Sequence, residues 1–265
     1  MLVTGATSGI GLETARLLAE RGSTVLLHGR TPGEARAAAD RVTATAGVPE
    51  HRLRAFHADF SRLGEVAAMA RAVLAEHPRI DVLVNNAAVA APERRTLTAD
   101  GNELTFQVNF LAHYLLTRLL EPALTAGTGE AGGPGGRVVH VSSSLHRTGS
   151  IPWGDPQRAR RYSRLAAYAQ SQLALTVFAG DRRVPAVSVH PGICATRLLP
   201  LYAHRGASPA EGAEHVVRLC DPAAGIAPGA YYDRDRRVEP APGAAGERAL
   251  RRLTGLADAL VGHTA

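Results

Sequence analysis

The stretch Thr4-Gly5-Ala6-Thr7-Ser8-Gly9-Ile10-Gly11 limits what this chain can fold into more than any other. It follows a short apolar run, Met1 to Val3, and opens into a segment with Ile10, Leu12, Ala15, Leu17, Leu18 and Ala19 at helical spacing. The glycines therefore fall at a strand-to-helix turn. Glycine allows positive φ and close backbone approach, and the free N–H groups and positive dipole end of the following helix attract an anion. Gly5, Thr7, Ser8, Gly9, Ile10 and Gly11 thus read as the seat of a pyrophosphate. The plainer reading is an ordinary tight loop between a strand and a helix. The spacing is G-x-x-x-G-x-G rather than the commoner dinucleotide fingerprint G-x-G-x-x-G, so the rest of the chain has to decide.

Further apolar runs follow at Ser23 to His28, Leu53 to Ala58, Ile80 to Val84, Arg137 to Val141 and Ala186 to Val189, separated by amphipathic segments such as Pro32 to Ala46 and a long one from about Ala99 to Leu120. Strands alternating with helices predict an α/β fold: one doubly wound, Rossmann-type domain with a central, mostly parallel sheet flanked by helices. A length of 265 residues suits a single domain over 1–265. Ligands on such sheets sit at the carboxyl ends of the strands. Gly5, Arg30, Asp59 with Phe60, and Asn86 with Ala87 and Ala88 all fall at those ends.

The second strand ends in Gly29-Arg30-Thr31-Pro32. In dinucleotide folds an acid near this point binds a ribose 2′-hydroxyl, whereas an arginine accommodates a 2′-phosphate. Arg30 therefore points to NADP(H), set against an arginine that merely ends a strand in an arginine-rich chain. All 30 basic residues are arginine, and the net charge is +6. The arginines are scattered without interleaved aromatics, so nucleic acid is not expected as a partner. With no 18-residue apolar run and no signal-type N-terminus, neither membrane insertion nor export is expected, and the reading is a cytoplasmic protein. Cys194 and Cys220 lack a C-x-x-C partner, which argues against a metal or redox pair.

Later segments add single features. Asn109 lies in the long helix, where a buried amide most often satisfies neighbouring backbone. Gly127 to Gly136 is a low-complexity loop, and Trp153 to Arg164 is a polar loop with arginines at 158, 160, 161 and 164. Tyr168 and Gln172 stand one helical turn apart. The sixth strand ends at His190-Pro191-Gly192-Ile193, followed by Thr196. Segments 145–162 and 197–207 are expected to cap a pocket. Ser208-Pro209-Ala210-Glu211 reads as a helix start, Ala230 to Tyr232 as a last edge strand, and Gly243 to Val261 as a tail helix that docks on its own domain or meets a second subunit.

Taken together, Thr4 to Gly11, Asp59, Asn85-Asn86-Ala87-Ala88, Asn109, Ser143, Tyr168 and Pro191-Gly192 with Thr196 resemble the short-chain dehydrogenase/reductase family, over residues 1 to about 200. The segments Ser142-Ser143-Ser144-Leu145-His146 and His190-Pro191-Gly192 look like its retinol-dehydrogenase-like and carbonyl-reductase-like branch. The resemblance implies a cofactor contact at Asp59, a proton donor at Tyr168, an oxyanion-stabilising hydroxyl at Ser143, and an asparagine, Asn109, that holds a water in the proton path. The chemistry is physically coherent, because hydride addition to a carbonyl builds negative charge on oxygen that O–H donors must meet.

The family carries a lysine four residues after the tyrosine, and here that position is Gln172. A unit charge about 5 Å from the phenol at an effective dielectric near 20 is worth roughly 3 kcal/mol, or about two pKa units. Its loss leaves a tyrosine suited to donating a proton to a carbonyl and poor at accepting one from an alcohol, while Gln172 keeps the ribose hydrogen bonds. The reading is therefore an NADP(H)-dependent reduction of a small-molecule ketone or aldehyde. Two alternatives stand beside it: a non-redox enzyme of the same fold, or a cofactor-binding subunit. Ala88 also replaces the glycine of N-N-A-G. The first strand begins at Met1, which implies either a start further upstream or a frayed sheet. The Tyr168 helix, closed early by Pro185, puts the family's helix-mediated dimer in doubt, and a homodimer stays open as a partner reading.

Overall fold

The computed structural model describes residues 1–90, 92–126, 135–198, 206–244 and 246–262. Strand β1 (Leu2–Val3) leads through the glycine turn into α1 (Gly9–Glu20), β2 (Val25–Gly29) into α2 (Pro32–Ala46), and β3 (Leu53–His57) into α3 (Leu63–Glu76). After β4 (Val82–Asn85) comes a helical stretch in three parts: α4 (Leu104–Phe106), a π-helical turn (Gln107–Leu111) and α5 (Ala112–Thr125). Then β5 (Arg137–Val141) precedes α6 (Arg164–Phe178), β6 (Ala186–His190) precedes α7 (Pro209–Cys220), and β7 (Tyr231–Asp233), β8 (Arg236–Val238) and α8 (Glu247–Val261) complete the chain.

The strands form one sheet in the order β3-β2-β1-β4-β5-β6-β7-β8, parallel throughout except for the β7–β8 hairpin. Successive residues of each central strand serve opposite layers. Leu2, Leu26, Leu83 and Val138 join the core shared with α3, α5, α6 and α8, whereas Val3, Leu27, Val84 and Val139 join the core under α1, α2 and α7. Fully burying each such side chain contributes about 1.5–3 kcal/mol, which is why these strands read as continuous apolar runs. The order reverses at β1, with β2 on one side and β4 on the other, so the glycine turn leaves the sheet at its topological switch point.

Several expectations need adjusting. The sheet is not frayed at its start, because Leu2 and Val3 pair on both sides and the Met1 carbonyl accepts the Leu26 N–H at 2.8 Å. The long helix begins at Leu104 rather than Ala99. Residues 98–102 form a turn around Gly101 (φ +81°), and the Glu103 carboxylate caps the helix by accepting the N–H groups of Thr105 and Phe106. Helix α7 starts as expected, with a capping box between Ser208 and Glu211. The edge strand continues into β8, which was not expected, through a turn with Arg234 at φ +53°.

The tail helix docks on its own domain. Leu253, Ala257 and Val261 enter the same core as Leu173, Val177 and Phe178 of α6. The Tyr114 hydroxyl donates to Asp258, and the Arg252 guanidinium stands 4.4 Å from the Trp153 ring. The low-complexity loop lies outside the described residues at 127–134, as does the capping segment at 199–205. Among the described residues no helix is long and apolar enough to cross a membrane, and no His/Cys/Asp/Glu cluster could hold a metal ion.

Candidate functional site

The site begins with the way β1 and β4 are joined. The Thr4 N–H donates to the Val84 carbonyl at 3.0 Å. The Thr4 hydroxyl oxygen accepts the N–H groups of Asn86 and Ala87 at 2.8 and 2.9 Å, and the Asn86 amide donates back to the Thr4 carbonyl at 2.8 Å. These bonds press the glycine turn against the end of β4. Gly5 and Gly9 have φ of +64° and +57°. A Cβ on Gly5 would stand 2.8 Å from the Ala87 Cα, and one on Gly11 would stand 2.3 Å from both the Asn86 amide and the Gly5 carbonyl. No other residue type fits either place.

Two neutral histidines brace the turn. The Gly5 N–H donates to His28 Nδ1 at 3.0 Å, so the ring proton sits on Nε2, which donates to the Ala58 carbonyl at 2.9 Å. Burial pushes His28 down to about 4, and its ring stacks on Phe60 at 4.3 Å. His113 donates from Nδ1 to the Asn109 carbonyl at 2.9 Å, which leaves Nε2 to accept the Thr4 hydroxyl at 2.9 Å. Burial also pushes His113 down to about 4.

Between the turn and the chain leaving β6 lies a cavity of about 510 Å³. Its walls include Gly5, Thr7, Ser8, Gly9, Ile10, Gly11, Arg30, Asp59, Phe60, Asn86, Ala87, Ala88, Pro191, Gly192, Ile193 and Thr196, so every residue expected to hold a dinucleotide is brought to one space. At one end the exposed Arg30 pairs with Glu34 at 3.1 Å. There the Asp59 carboxylate accepts the N–H and hydroxyl of Ser61 at 2.9 and 2.7 Å. At the other end stand Tyr168 and Gln172.

Helix α6 places those two. Ser163 caps it by accepting the Ala166 N–H at 3.2 Å, and every residue from Ala167 to Phe178 is buried. Gln172 is 1% exposed, and its Nε2 has no hydrogen-bond partner in the protein. The Gln172 backbone carbonyl accepts the Ser142 hydroxyl at 3.1 Å, which ties α6 to the end of β5.

Two expected residues are not on the cavity wall. Ser143 is buried, and its oxygen accepts the Leu145 N–H at 3.0 Å, starting the short 3-10 helix Ser144–Thr148. The wall serine is Ser142. The Asn109 side chain brackets Val89: Oδ1 accepts its N–H at 2.9 Å, and Nδ2 donates to its carbonyl at 3.2 Å and to Ser171 at 3.1 Å. Asn109 sits in the π-helical turn, a departure that recurs at functional sites.

The cavity also recruits His28, Glu34, His190 and Cys194, none of which was expected, and Arg197, the first residue of the segment expected to cap a pocket. A histidine closing a strand gave a faint signal for His28 and His190. Nothing in the sequence relates Arg197 to the glycine turn 189 residues earlier. A dinucleotide fits what is present: a cradle that excludes any Cβ, a helix start whose Ser8 makes no side-chain cap, and a buried amide donor at Gln172 that lacks a partner.

Comparison with known proteins agrees. The family model for short chain dehydrogenase matches residues 1–201. The chain is 37% identical, over its whole length and 93% of the other, to a Streptomyces sp. (strain C5) protein named "Putative daunorubicin C-13 ketoreductase DnrU". It is 33% identical to human retinol dehydrogenase 13 over 99% of this chain and 84% of that one. A crystal structure of a Mycobacterium paratuberculosis protein of unassigned function superposes with a TM-score of 0.79 at 30% identity, covering 98% of this chain and 92% of the other. Sequence, sheet order and site geometry converge, and the chain belongs to the short-chain dehydrogenase/reductase family of oxidoreductases, in its retinol-dehydrogenase-like branch.

Proposed function

We propose that this protein is an NADP(H)-dependent reductase of a small-molecule ketone or aldehyde. The observation that carries the reading is the buried, unpartnered Gln172 amide one turn from Tyr168, in the same cavity as the glycine turn. Bound NADPH would supply the hydride. Tyr168 then donates a proton to the substrate oxygen as negative charge develops there. Ser143, next in the chain to the wall residue Ser142, acts as the second hydroxyl for that oxygen. Gln172 holds the nicotinamide ribose through Nε2, and Asn109 acts as a positioning residue that fixes the chain beyond β4 against α6. Arg30 receives the 2′-phosphate in exchange for part of its contact with Glu34.

The neutral side chain at 172 also favours a second reading, in which the tyrosine pocket serves a non-redox step such as a dehydration or isomerisation. Incubation with NADPH and a panel of ketones, aldehydes and quinones, followed by absorbance and by mass, separates the two. NADPH loss in proportion to product supports the reductase. Product without NADPH loss supports the second reading.

A further inference from the structure

The α1 N-terminus faces a cation. Arg197, on the chain leaving β6, donates from Nη2 to the Ser8 hydroxyl oxygen at 3.1 Å, and both residues line the cavity. Ser8 is the residue just before α1, its side chain caps nothing, and the first turn carries no acid. Arg197 makes no ion pair among the described residues, whereas many of the chain's other arginines are paired with carboxylates. A guanidinium at a helix N-terminus has the wrong sign for a structural contact, because the exposed N–H groups and the dipole end are themselves positive. The segment is nevertheless held there: Thr196 packs so closely that a Cβ on Gly9 would lie 3.1 Å from its Cγ2. A second group on the same cavity wall, the buried Gln172 Nε2, has no partner in the protein. An anion lying between the helix start and Arg197 removes the conflict, and a guanidinium can bind phosphate oxygens through two N–H groups at once.

We infer that Arg197 is a pyrophosphate clamp: it closes over the cofactor from the side opposite the glycine turn, exchanging its Ser8 contact for the bridging phosphates. This rests on the dinucleotide reading of the cavity and adds an affinity for both cofactors that Arg30 does not supply. Arg30 acts on the 2′-phosphate and so distinguishes NADPH from NADH, while Arg197 acts on a group both share.

The test is direct binding of NADPH, NADH and ADP to the parent, Arg197→Ala, Arg197→Lys and Arg30→Ala, by calorimetry without substrate. Arg197→Ala should weaken NADPH, NADH and ADP by a similar factor, roughly ten- to hundred-fold for a lost charge-assisted contact. Arg197→Lys should recover part of the affinity, and Arg30→Ala should weaken NADPH alone. The affinity of Arg197→Ala should also fall less steeply with salt than the parent's. Arg197 is exposed, so the variant's apo melting temperature should match the parent's or exceed it slightly. If the parent binds both nucleotides and Arg197→Ala binds them equally well, the clamp is wrong. It is also wrong if only NADPH is weakened, which would place Arg197 at the 2′-phosphate. A parent that binds neither nucleotide overturns the cofactor reading itself.

Discussion

Gln172→Lys puts back an ammonium where the fold has room for its consequences to be read. Positions 168 and 172 are one turn apart on α6, which places their side chains about 5–6 Å from each other. At an effective dielectric near 20, a unit charge at that distance favours the phenolate by roughly 3 kcal/mol, or about two pKa units. The position is 1% exposed, so little solvent screens the interaction, and Nε2 of the parent has no hydrogen-bond partner in the protein that the substitution would break. The sign is unambiguous: an ammonium stabilises the deprotonated tyrosine, which is the form needed to take a proton from an alcohol. Alcohol oxidation with NADP⁺ is therefore expected to reach half its maximal rate about two pH units lower in the variant, while carbonyl reduction at neutral pH changes little. The assay is the pH profile of oxidation for both proteins. Superimposable profiles would refute the reasoning, since charge at 172 would then not govern the tyrosine. A variant that gains reductase activity absent from the parent would instead favour the non-redox reading.

Tyr168→Phe should abolish carbonyl reduction and leave NADPH affinity nearly intact, because the lost hydroxyl acts chiefly in the transition state; reduction at the parental rate would remove Tyr168 from the mechanism. Arg30→Ala should raise the NADPH dissociation constant roughly tenfold or more with NADH unchanged, whereas Glu34→Gln, which frees Arg30, should raise the preference for NADPH; equal effects on the two cofactors would count against the 2′-phosphate contact. His28 and His113 titrate near 4 in the fold and about 6.5 when unfolded, so the unfolded chain binds more protons between those values and stability, complete above about 6.5, falls as the pH drops toward 4. From pH 7 to 5 the loss is on the order of 2 kcal/mol for each of the two, visible as a lower urea midpoint; a midpoint that stays level or rises would contradict it.

The sheet was legible because its central strands are buried on both faces, so Val25 to Leu27 and Val82 to Val84 show the same apolar run in sequence that they bury in space. The gathering of the glycine turn with Arg30, Asp59 and Asn86 around one cavity was legible because these strand ends are local signals that topology alone brings together. What stayed hidden depends on distant partners. An extra residue in the turn at Gln107–Leu111 leaves the helical period almost unchanged, so no pattern marks it. Glu103 caps a helix with its own carboxylate, a role that sequence assigns more readily to serine or threonine. Strand β8 is mostly arginine and pairs only at the sheet edge, through a hairpin that has Arg234 where glycine or asparagine would signal the turn. The Asn109 bracket on Val89 and the Arg197 contact with Ser8 require tertiary approach that spacing does not encode.

The docking of α8 on α6 also sets an order of events during synthesis. The helix that carries Tyr168 has its whole length from Ala167 to Phe178 buried, and part of the core that covers it comes from Leu253, Ala257 and Val261, some 75 residues further along the chain. While the ribosome is still making that stretch, Leu173, Val177 and Phe178 lack their last cover, and contacts so distant in sequence are slow to form. A nascent chain stopped before Glu247 should therefore already possess the glycine turn and most of the sheet, yet present an apolar α6 surface to chaperones. The helix that carries Tyr168 gains its last cover only when the final helix emerges.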